Sequence, residues 1–179
     1  MLPVHVSGQE FWDEAKEQFI FGSDVTLKLE HSLISISKWE SKWLVPFYDS
    51  EKTEEMAKDY IRCMTLNTGI DPEVYDRLSA QNIDEINEYI ASPMTASTIK
   101  DDKKGSGSKE RITSELIYYW MTAFNIPFEC EKWHINRLIM LVRICSEKNK
   151  PAKKMSAREV MAQNKALNAA RRAKLHSKG

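Results

Sequence analysis

With 179 residues and 26 Lys/Arg balancing 26 Asp/Glu, the chain is long enough to bury roughly 70% of its unfolded surface as a single domain, without covalent staples. Its three cysteines, Cys63, Cys130 and Cys145, are odd in number and scattered, which argues against a disulfide framework and predicts reduced thiols in a cytosolic setting. The N-terminus has no basic segment leading into an apolar run, and Leu138 to Val142 is closed by Arg137 and Arg143, far short of the ~20 residues of a membrane span. A soluble chain is expected.

In chain order, residues 2–6 alternate weakly (Leu2, Val4, Val6) and predict a short edge strand, with Pro3 tolerated near its start. Glu10 to Phe21 is read as a short helix stopped by Gly22-Ser23-Asp24. Val25 to Glu30 alternates again and predicts a strand able to pair with residues 2–6. Ser32 caps a helix carrying Leu33, Ile36, Trp39 and Trp43 and ending before Pro46. Thr53 to Leu66 is a helix with acids in its first turn and Met56, Tyr60, Cys63 and Met64 on one side. Asp71-Pro72 opens a short helix through Leu78, and another runs from Ile83 to Ala91 before Ser92-Pro93.

Residues 93–109 turn to Ser, Thr, Gly, Lys and Asp and predict a mobile loop. Ile112 to Phe124 places Ile112, Leu116, Ile117, Trp120, Met121 and Phe124 on one side of a helix that Pro127 ends by pushing Ile126 out of the helical region. Glu131 to Lys148 is the most apolar segment. Trp133, Ile135, Leu138, Ile139, Leu141, Val142 and Cys145 cover more than the usual one-sided stripe, so this helix is expected to have neighbours on most sides and to form, with the preceding one, a hairpin at the centre of the core. After Asn149-Lys150-Pro151, the capping box Ser156-Ala-Arg-Glu159 starts a last helix toward Leu175, whose apolar stripe is thin: Val160, Leu167 and Ala170, with Met161 alongside.

The neutral total hides an asymmetry. From Lys150 onward there are nine Lys/Arg and one acid, a charge of +8, which leaves −8 on residues 1–149. The reading is a mainly α-helical domain over 1–149 with a small N-terminal β-hairpin, followed by a basic helical arm over 150–179. Such an arm calls for nucleic acid, an acidic partner or an acidic surface of its own kind. It has no aromatic to stack on bases and no reader motif, which weakens the nucleic-acid version.

No catalytic or cofactor-binding constellation emerges. Cys130 and His134 are four apart, but zinc wants four ligands and no second pair stands at compatible spacing, so a buried thiol and an interfacial histidine are expected. His31 lies between Glu30 and Ser32, and three adjacent residues cannot converge on one point. Gly105 and Gly107 follow no strand and make no phosphate loop. The adjacent acids Asp101-Asp102 and Glu54-Glu55 point apart, and no acid–base pair is indicated. Trp39 and Trp43, beside Lys38 and Lys42, have two readings: core packing, or an exposed binding ridge.

Several strings carry a resemblance: Leu29-Glu-His-Ser-Leu33, Ser37-Lys-Trp-Glu-Ser-Lys42, Ile61-Arg-Cys-Met-Thr-Leu66, Ser92-Pro-Met-Thr-Ala96, Ile126-Pro-Phe-Glu129, Trp133-His-Ile-Asn-Arg-Leu138, and Lys153-Lys-Met-Ser with Leu167-Asn-Ala-Ala-Arg-Arg-Ala-Lys-Leu175. Together they resemble the tail assembly chaperones of long-tailed bacteriophages, particularly those of actinobacteria. The resemblance implies a small, mainly helical, non-enzymatic protein of the infected cell's cytoplasm, absent from the finished virion. Such a protein binds the tail tape measure protein, keeps it soluble and helps recruit major tail tube subunits. Expected contacts are Trp39 and Trp43 together with Arg158, Val160, Met161, Leu167, Arg171, Arg172 and Leu175, with self-association through the arm as a further possibility. The alternative is a nucleic-acid-associated protein acting through the same arm.

Overall fold

The computed structural model describes residues 1–8, 10–14, 17–99, 111–150 and 156–175. The loop expected over 93–109 is irregular where described, to residue 99, and its remainder, with Asp101, Asp102, Gly105 and Gly107, lies outside the described residues. The chain divides into two compact units, Met1–Glu147 and Lys148–Gly179. It is mainly helical with a small antiparallel β part at the N-terminus.

Strand β1 (Leu2–Val6) pairs antiparallel with β4 (Val25–Leu29), in the register Leu2 to Leu29 and Val4 to Leu27. The alternation does what period two requires: Val4, Val6, Leu27 and Leu29 are all buried. Between these strands, Glu10 to Phe21 is not the expected helix but a second antiparallel pair, β2 (Glu10–Asp13) with β3 (Gln18–Phe21). Phe11-Trp12 and Phe19-Ile20-Phe21 favour a pleated backbone over a helix. The glycines complete the explanation, since a Cβ at Gly8 would lie 1.7 Å from the Gly22 carbonyl oxygen. Asp24 Oδ1 accepts the Gly8 N–H at 2.9 Å across that crossing.

Strand β4 is enclosed on its other edge by the residues after the second helix: Glu30 N–H donates to the Met64 carbonyl, Leu66 N–H to the Lys28 carbonyl, and Lys28 N–H to Asn67 Oδ1. Helix α1 (Leu33–Trp43) starts at Ser32 with a reciprocal Ser32–Ser35 capping box. It is the centre of the core. Leu33, Ile36 and Trp39 are fully buried, and α1 packs against α2 (Glu54–Met64) and against α4 (Ser114–Ala123). Asp71-Pro72 does open a short helix, but a 3-10 one, Pro72–Arg77. Helix α3 (Ala80–Ala91) begins three residues earlier than expected because Ser79 and Asn82 form its capping box.

Helix α4 ends with Asn125 in the left-handed region (φ 51°), a conformation Asn tolerates. A 3-10 helix, Phe128–Lys132, follows, and α5 (Ile135–Lys148) begins after Trp133 and His134 rather than at Glu131. The reason is tertiary: Ile135 N–H donates to the His31 carbonyl at 2.7 Å, holding 133–134 extended. Helix α5 is also less enclosed than its composition implies. It buries only Ile135, Leu138 and Val142, while Ile139, Leu141 and Cys145 stay half-exposed. The expected α4–α5 hairpin is therefore not the centre of the core: α4 packs against α1, and α4 and α5 make few direct contacts with each other. The second unit contains α6 (Ala157–Leu175), all of whose residues are exposed.

Helix α1 closes on Leu44 in the left-handed conformation (φ 56°), with 84% of its surface exposed. A leucine there is strained and makes little contact. Leu44→Gly is expected to stabilise the fold by about 1 kcal/mol, read as a rise in Tm of roughly 2–4 °C. An unchanged or lower Tm contradicts this.

Candidate partner-binding groove

Helices α4 and α5 carry more apolar residues than the core uses. On α4, Ile117 and Met121 turn inward and are fully buried, while Trp120 and Phe124 turn aside and remain half-exposed. On α5, Ile139 diverges from the buried line of Ile135 and Leu138 in the same way. These side residues meet across an open groove of about 430 Å³. Trp120 and Phe124 stand on one wall and Ile139 and Val142 on the other, Tyr48 and Ile112 join them, and Arg143 and Ser146 are the polar members. The surface is narrow, apolar and bounded by two helices, and it can take an amphipathic helix by its apolar residues.

One buried carboxylate fixes the backbone next to Tyr48 and Ile112. Glu40 of α1, 7% exposed, accepts the Phe47 N–H on Oε1 at 2.8 Å and the Ser114 N–H on Oε2 at 2.7 Å. Ser114 is the first residue of α4, so Glu40 acts as a cap supplied by another helix, its negative charge at the positive end of α4. Burial, and then the Glu40 charge, push the neighbouring Tyr48 hydroxyl up to about 12.

A second polar cluster lies at the start of α1. His31 and His134 stand edge to face with ring centres 5.0 Å apart, both buried. The Tyr60 hydroxyl bonds His31 Nδ1, His134 Nε2 meets the Tyr89 carbonyl at 3.0 Å, and Asn136 N–H donates to His134 Nδ1 at 3.3 Å. Glu30, His31 and Ser32 diverge: the Glu30 carboxylate takes the Tyr89 hydroxyl and the N-terminal ammonium, and Ser32 caps α1. The cluster ties β4, α1, α3 and α5 together. Cys130 is buried, and burial raises its thiol pKa. Among the described residues no group of three or more His, Cys, Asp or Glu is placed to hold a metal ion, and no helix is long and apolar enough to cross a membrane.

The expected contacts divide. Trp39 is not on a ridge: it is fully buried, its Nε1–H donates to the Met56 carbonyl at 2.9 Å, and its ring meets Phe47 edge-on at 5.3 Å. Trp43 is half-buried and donates to Asp59 Oδ2, beside the Lys42–Asp59 ion pair. The three-and-four spacing that aligned the two tryptophans was the mark of an inward stripe. Arg158, Val160, Met161, Leu167, Arg171, Arg172 and Leu175 all lie exposed on α6. At about 100° per residue Val160, Leu167, Arg171 and Leu175 share one face, with Met161 and Arg172 on its flank and Arg158 beyond. The groove residues Tyr48, Ile112, Trp120, Phe124, Ile139 and Val142 were not among the expected contacts, although the excess apolar width of α5 was their signal. No family model, curated protein or solved structure matches this chain.

Proposed function

We propose that this protein is a non-enzymatic tail assembly chaperone, of the kind its sequence resembles. It holds an apolar helical segment of the tape measure protein in the α4–α5 groove, keeps it soluble in the host cytoplasm and passes it to tail tube subunits. One observation carries the reading: α4 and α5 leave Trp120, Phe124 and Ile139 lining an open, nearly unbroken apolar groove. A protein whose partner exposes apolar helix until a tube encloses it needs a surface of that kind.

The test is co-expression of the full chain with the tape measure protein, scoring how much of that partner stays soluble and co-purifies. Apolar capture is expected to survive high salt, and Ile139→Asp is expected to abolish it; Ile139 is half-exposed but packs against the core, so the urea midpoint falls while the helical circular dichroism is retained. Capture that Ile139→Asp leaves intact removes the groove from the reading. An aggregated partner, together with DNA binding by the chain that falls steeply with salt, replaces the reading with phosphate binding through the basic arm.

A further inference from the structure

Apart from the α4–α5 groove, the first unit has a larger cleft of about 540 Å³ between α2, the Pro72–Arg77 helix and α3. Its apolar lining includes Ile61, Tyr75, Leu78 and, along α3, Ile83, Ile86 and Ile90. Ile83 and Ile90 are half-exposed and seven residues apart, about 10.5 Å along the helix. The surroundings are acidic: residues 47–92 hold eleven Asp/Glu and four Lys/Arg, so a charge of −7 out of the −8 on residues 1–149 falls in this stretch. Asp84 and Glu88 are exposed beside the isoleucine row, and Lys58 on the rim is already engaged by Asp76 at 3.0 Å.

Helix α6 carries the complementary pattern. Val160 and Leu167 are exposed and also seven residues apart. Arg171 and Lys174 lie on the same face, each about 30° from the line of that pair at about 100° per residue, and Glu159 is the only acid in α6. With Val160 and Leu167 seated on Ile83 and Ile90, Arg171 and Lys174 face the acidic cleft, whose lining includes Glu54 and Asp76.

We propose that α6 of one copy docks into the α2–α3 cleft of a second copy. Apolar contact at heptad spacing seats the helix, and the opposite charges of arm and cleft select its orientation. Each copy offers one arm and one cleft, so the contact is heterologous and either closes into a ring or extends a chain. The proposal does not depend on the chaperone reading, because it is tested without any tape measure protein.

Sedimentation velocity of the full chain over a range of concentrations, at about 50 mM and about 500 mM salt, is the measurement. The sedimentation coefficient is expected to rise with concentration at low salt and to fall toward the monomer value at high salt. Leu167→Glu, and separately the double substitution Asp84→Lys with Glu88→Lys, are each expected to weaken association by about tenfold or more. All three positions are exposed, so the fold is retained. Mixing the two variants restores one intact arm and one intact cleft, and a one-to-one heterodimer is expected. A chain that stays monomeric at every concentration in low salt overturns the proposal, as does association that neither variant weakens.

Discussion

Lowering the pH from 7 to 5 is expected to take about 2 kcal/mol from the stability of the first unit, with His31 as the main source. Burial, and then the neighbouring His134, lower its pKa from 6.5 to about 3. The sign follows from which state takes up the proton. The unfolded histidine protonates below 6.5, whereas the folded one resists until about 3. Its contribution is therefore complete above the unfolded value and drains away as pH falls toward the folded one.

The hydrogen bonds give the same direction. Tyr60, whose hydroxyl is itself held neutral by burial, bonds His31 Nδ1, and Asn136 N–H donates to His134 Nδ1. A proton on His134 Nδ1 removes the acceptor that Asn136 is using, and a charge on either ring stands beside a second imidazole 5.0 Å away. His134 is also shifted down, by burial first, and adds to the loss. The check is the urea midpoint at both pH values, in the native chain and in His31→Gln. The variant is expected to be less stable at pH 7 and to show a much shallower pH dependence. A native midpoint that stays constant to pH 5 means that the ring takes up its proton without opening the core.

The sequence makes the local elements legible where local chemistry decides them. Ser32, Thr53 and Asp71 cap the helices they were expected to cap, and the alternation of Val4, Val6, Leu27 and Leu29 fixes the β1–β4 pair. Elements set by distant contacts are not legible in that way. The Gly8–Gly22 crossing that makes a hairpin of residues 10–21 joins positions fourteen apart, and the extended Trp133-His134 step depends on the His31 carbonyl. Periodicity also cannot say which of two apolar rows meets the core and which meets nothing within the chain. That ambiguity put Trp39 among the expected contacts although it lies at the centre of the core, and it hid Trp120, Phe124 and Ile139. The basic arm was legible from charge alone. Its opposite number in residues 47–92 appears only when α2, α3 and the short helix between them are seen to enclose a cleft.

Glu40→Ala is expected to cost about 3 kcal/mol, because it leaves two buried amide N–H groups, those of Phe47 and Ser114, without an acceptor. Glu40→Gln keeps one carbonyl oxygen but turns an NH₂ group toward the other N–H, and roughly half that loss is expected. The consequence reaches the groove, since Phe47 precedes Tyr48 and Ser114 follows Ile112 by two residues, so the same carboxylate fixes the backbone next to two of its lining residues. Hydrogen exchange separates this role from general destabilisation. The Phe47 and Ser114 amides are expected to exchange much faster in Glu40→Gln, while the Leu44 amide, bonded to the Glu40 backbone carbonyl, stays protected. If all three amides speed up together, Glu40 supports α1 as a whole. If Phe47 and Ser114 stay protected, the loop and the start of α4 are held by their packing, and the groove keeps its shape without the buried charge.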